Sequence, residues 1–96
     1  MEKIWFTEYQ KTGIPETVEL PPENTSLIDI FERNFQKFGS RDAFIFMDKA
    51  LSFSELEVAS RKFAAYLQSL GLAKGSRVAV MMPNVLQYPI VALAVF

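Results

Sequence analysis

Ninety-six residues, half of them apolar, suffice for one small domain with a modest core and argue against a disordered chain. Ten Lys and Arg against eleven Asp and Glu leave a formal charge of −1 with no basic cluster, which speaks against nucleic acid as a partner. Without Cys or His, the chain has no disulfides, no thiolate nucleophile, no zinc site of the usual ligand sets and no Ser-His or Cys-His pair; the missing cysteines suit a reducing cytoplasm.

The first residues, Met1 through Tyr9, lack the apolar run and small-residue cleavage site of a signal peptide, so export is not expected. Gly13, Pro15, Pro21 and Pro22 oppose regular structure, and residues 1–25 read as an extended arm. Trp5, Phe6 and Tyr9 would anchor it, either on the parent domain or at a membrane interface or subunit contact. Ser26 with Asp29 fits a capping box, and Leu27, Phe31, Phe35 and Phe38, flanked by Ile28 and Ile30, recur at helical spacing. Asp29 and Arg33 are spaced for a surface pair, and Gly39 is placed to end the helix as its first left-handed residue.

Residues 43–47, a turn at Asp48-Lys49-Ala50, and residues 51–53 read as an antiparallel hairpin. Ser54 with Glu57 looks like a second capping box, followed by a buried stripe of Leu56, Ala59, Phe63, Leu67 and Leu70 and a stop at Gly71. Leu72 beyond that glycine suits a Schellman ending. Residues 77–82 are apolar on both faces, the pattern of a strand buried within a mostly parallel sheet. Asn84 is placed to cap a helix beginning near Val85, and Pro89, about one turn in, should kink that helix or delay its start. Residues 85–96 are too few to span a bilayer, which takes about 20 apolar residues.

Little here can carry chemistry. The turn around Gly71, Lys74, Gly75 and Ser76 lacks the spacing of a phosphate-binding loop. Glu55 and Glu57 point to different helix faces and cannot act as a paired acid and base; Glu57 with Arg61 is spaced as an ion pair. Ser26 and Ser54 are caps with no base to activate them. The Phe31, Phe35, Phe38 stripe, at helical spacing, is expected to be core rather than the lining of an acyl tunnel. A lone strand apolar on both faces needs neighbours, and the pattern stops at Phe96 inside an apolar helix. The expectation is an incomplete piece that, alone, is poorly soluble, self-associated or partly ordered.

Leu51-Ser52-Phe53-Ser54-Glu55-Leu56, Ala64-Ala65-Tyr66-Leu67, Gly71-Leu72, Lys74-Gly75 and Arg77-Val78-Ala79-Val80-Met81-Met82-Pro83-Asn84, in this order, resemble the N-terminal region of adenylate-forming enzymes, the acyl-CoA synthetase superfamily. The resemblance covers about residues 26–96. Met81-Met82-Pro83-Asn84-Val85-Leu86-Gln87-Tyr88-Pro89 and the start from Ile4-Trp5 to Pro15 look most like bacterial long-chain fatty acyl-CoA synthetases. Two mild departures are Ser52-Phe53, where Thr-Tyr is frequent, and Ser76, where Asp commonly precedes Arg-Val.

The resemblance implies an α/β fold: the incomplete start of the large adenylate-forming (AMP-binding) domain at residues 26–96, with a small hairpin, two to three helices and one buried strand. It implies ATP- and magnesium-dependent activation of a fatty acid to acyl-AMP, then transfer to coenzyme A. The family's phosphate loop and lysine, magnesium ligand, ribose-binding aspartate and catalytic lysine match no position here. No catalytic, cofactor-binding or metal residue is therefore expected in this segment, which should be inactive alone. The implied partners are fatty acid and CoA, with peripheral membrane contact at the inner face of the cytoplasmic membrane; separately, the exposed apolar surface leads to the expectation of a homodimer or other self-association. Two alternatives remain: another acyl- or aryl-activating enzyme of the superfamily, or a small non-catalytic interaction module.

Overall fold

A computed structural model describes residues 2–23 and 25–96, so Met1 and Asn24 of the expected arm lie outside the described residues. Its elements are α1 (Trp5–Thr12), α2 (Leu27–Phe38), β1 (Asp42–Phe46), β2 (Lys49–Ser52), α3 (Phe53–Ser69) and α4 (Gln87–Val95).

The arm is not extended throughout. All its prolines follow Gly13, leaving the first residues free to coil into α1, which Gly13 closes at φ 71° as the Ile14 N–H donates to the Tyr9 carbonyl at 2.9 Å. No residue of α1 is buried. Its rings pack on one another instead, with Trp5–Phe6 and Phe6–Tyr9 centroids 6.0 and 5.8 Å apart. Helical structure is absent from residues 14–23, as the prolines require.

α2 starts at the expected box: the Asp29 N–H donates to Ser26 Oγ at 3.1 Å, and the Ser26 N–H to Asp29 Oδ2 at 2.9 Å. Its stripe is only partly buried. Phe35 is inside, Phe31 and Phe38 are half-buried, and Leu27 is 52% exposed. Gly39 ends α2 but is right-handed, at φ −46°, correcting the left-handed reading. Its glycine identity answers to space: a Cβ there would lie 2.7 Å from Ser54 Oγ and 3.0 Å from the Phe35 carbonyl. Through that gap the Ser54 N–H donates to the Gly39 carbonyl at 3.0 Å.

The hairpin forms with a shorter turn than expected. Phe46 pairs with Lys49, so Met47 and Asp48 alone make the turn, at φ 46° and 62°, while Lys49 and Ala50 belong to β2. Positive φ at both central residues is the twist-matched geometry of a two-residue hairpin, adopted here without the usual Asn-Gly. β2 then runs directly into α3. Ser52, still extended at ψ 162°, is therefore the N-cap, in a box with Glu55 (3.1 and 2.9 Å) that displaces the expected Ser54–Glu57 pair by two residues. Along α3, Leu56 is fully buried and Ser60 nearly so, whereas Leu70 is 59% exposed. Gly71 follows at φ 83°, in the left-handed conformation expected after the helix.

Residues 77–82 do not form a strand. Residues 76–83 contain no turn, bend or helix, and exposure alternates with a period of two, with Val78, Val80 and Met82 half-buried and Arg77, Ala79 and Met81 exposed. This is the pleated pattern of β structure without a neighbour to complete its hydrogen bonds. α4 begins at Gln87 with no side-chain cap, so Asn84 does not cap it. Pro89 falls in its first turn, where a missing N–H forfeits no helical bond; the helix starts late, as the proline requires.

The core lies where α2, α3 and α4 meet, each giving one buried side chain: Phe35, Leu56 and Leu93. Around it lie half-buried Phe31, Ala43, Leu51, Phe53 and Ile90. The accessible surface is 8236 Å², against about 5,600 Å² for a compact monomer of this mass. The radius of gyration is 17.6 Å, against about 12.5 Å for a compact chain of this length.

Candidate functional site

The most site-like feature is an apolar groove of about 410 Å³ between α2, β1 and the start and end of α4. Phe31, Phe44, Phe46, Pro89, Leu93 and Phe96 form its walls. Its polar side chains are Asn84 and Tyr88, so it can hold an apolar group but offers no acid, base or charge for catalysis. Asn84 and Pro83 lie at the end of the unpaired segment, and the Val85 N–H donates to the Pro83 carbonyl at 2.9 Å, a tight turn between segment and helix.

The expected aromatic stripe meets different surroundings along its length, although Phe31 packs against Phe35 with centroids 6.2 Å apart. Phe31 lines the groove, Phe35 is core, and Phe38 stacks on Phe53 with centroids 6.1 Å apart, flanked by the Arg41 guanidinium and Lys37 ammonium, each 5.2 Å from its ring. These three rings do not line one tunnel. Besides Phe31, the groove wall includes Phe44, Ile45 and Phe46 of β1, which the sequence pattern marks only as strand residues, together with residues of α4 and the turn before it. Three successive apolar residues on a strand place side chains on both faces, and that run was the available signal.

A second hollow of about 310 Å³ lies between the end of α3, α4 and the turn at residues 72–76. The turn is closed on itself: the Ala73 N–H donates to Ser76 Oγ at 3.1 Å and the Ser76 N–H to the Ala73 carbonyl at 3.0 Å. Amides so occupied do not form a phosphate cradle.

Several charged and hydroxyl groups make local structural contacts. Arg61 bonds Glu57 at 3.1 Å within α3, as its spacing implied, and also reaches Glu32 of α2 at 3.3 Å, a link across sequence that spacing does not reveal. Glu57, then Glu32, raise the Arg61 pKa by hydrogen bonding to its guanidinium. The Ser26 backbone N–H, then the Ser26 hydroxyl, hold the Asp29 carboxyl below its ordinary pKa, with Arg33 contributing through its charge. Asp29 thus serves the cap. The Ser60 hydroxyl donates to the Glu57 carbonyl at 3.0 Å. Among the described residues no group of three or more His, Cys, Asp or Glu could hold a metal ion. No helix among them is long and apolar enough to cross a membrane.

Similarity to known proteins extends over the whole chain. A long-chain-fatty-acid–CoA ligase of Yersinia pestis is 47% identical over 96 residues, 99% of this chain and 17% of that protein. One from Bacillus subtilis is 41% identical over 83 residues, 86% of this chain and 14% of that protein. A nonribosomal peptide synthetase of Emericella nidulans, nlsA, is 34% identical over 79 residues, 81% of this chain and 1% of that protein. The chain thus spans about a sixth of the length of the ligases it resembles. No solved structure matches it. Residues 31–96, including the whole capped α3, the unpaired segment and α4, match the family described as AMP-binding enzyme, and the chain belongs to that family.

Proposed function

We propose that this chain is the N-terminal part of a long-chain fatty acid CoA ligase and is catalytically silent by itself. In the reaction proposed for the longer polypeptide, a fatty acid carboxylate oxygen attacks the α-phosphorus of ATP and displaces diphosphate. The CoA thiolate then attacks the acyl carbonyl of acyl-AMP and displaces AMP. The observation that carries this reading is the 47% identity, over nearly the whole chain, to a protein named for that activity.

The role proposed for residues 26–96 is scaffold, and the groups that bind ATP, magnesium and CoA are assigned to other parts of the polypeptide. Peripheral contact with the inner face of the cytoplasmic membrane and self-association through bare apolar surface complete the proposal. Exposed Ile4, Trp5 and Met81 favour the latter two.

Similarity to a peptide synthetase favours one alternative, an adenylate-forming enzyme with a different acid substrate. Exchange of labelled pyrophosphate into ATP by the longer polypeptide, measured with acids of graded chain length and with aryl and amino acids, separates the two. Exchange dependent on long-chain acids supports the proposal; exchange with aryl or amino acids alone overturns it.

A further inference from the structure

We draw no further inference here: the strongest candidate, the apolar groove between α2, β1 and α4, lies open in a chain that spans 17% of the Yersinia pestis ligase it resembles, and nothing in the structure shows what covers it.

Discussion

Replacing Leu56 by Ala probes how little holds this fold together. Leu56 is 0% exposed and sits between Phe35 and Leu93, with Leu51, Phe53 and Ile90 around them. The substitution removes three carbons, worth about 2.4 kcal/mol of transfer free energy at about 0.8 each. A cavity term adds to this, because neighbours on three helices relax only partly, giving about 2–5 kcal/mol in all. A 96-residue domain is ordinarily stable by about 5–14 kcal/mol, and one with three buried apolar side chains belongs at the low end. Leu56→Ala should therefore abolish cooperative unfolding or lower its midpoint severely. Leu27→Ala, at a position 52% exposed, should change stability by no more than about 0.5 kcal/mol. Urea titrations followed by circular dichroism, at one protein concentration, provide the comparison. Equal effects of the two substitutions would refute the placement of the core.

Three further outcomes follow from local geometry. Ser52→Ala should cost about 1 kcal/mol, because it removes the acceptor of the Glu55 N–H, while Ser54→Ala should cost far less; comparable losses in urea titration would contradict the observed cap. The Asp29 carboxyl has its pKa depressed in the folded chain, so its contribution to stability is present above the ordinary carboxylate value and is lost as pH falls through the lowered one. An NMR titration placing Asp29 at or above an unperturbed aspartate would contradict the capping bonds. Met47→Asn with Asp48→Gly should stabilise the hairpin by about 1 kcal/mol, since both positions have positive φ and Met47 is 82% exposed. A lowered thermal midpoint for the double variant would count against the two-residue turn.

Sequence periodicity located α2 and α3 because each has a Ser cap, an apolar stripe and a terminal glycine acting locally. It misplaced the start of α3 because Ser52–Glu55 and Ser54–Glu57 both satisfy the capping pattern; the choice is made by β2, which delivers Ser52 already extended. Leu27 and Leu70 looked like core because spacing records which face a residue shares, not whether another element covers it. The first residues coil into α1 because a proline restrains its own φ and the residue just before it, and the nearest proline, Pro15, lies beyond Gly13. Residues 77–82 carry a strand's pattern but cannot be one alone, since a strand is defined by its partner. That no catalytic residue lies in this segment is an expectation drawn from residue inventory and from family motifs that match no position here. By contrast, the apolar groove was not foreseen, because it joins Phe31, Phe44 to Phe46 and α4 across distant parts of the sequence.

Long-chain-acid-dependent exchange of pyrophosphate into ATP, run side by side on the 96-residue chain and on the longer polypeptide proposed to carry it, decides whether this segment belongs to a fatty acid ligase. Exchange is expected from the longer polypeptide and none from the 96-residue chain. Exchange by the short chain, or none by the longer one with any fatty acid, would contradict the proposal.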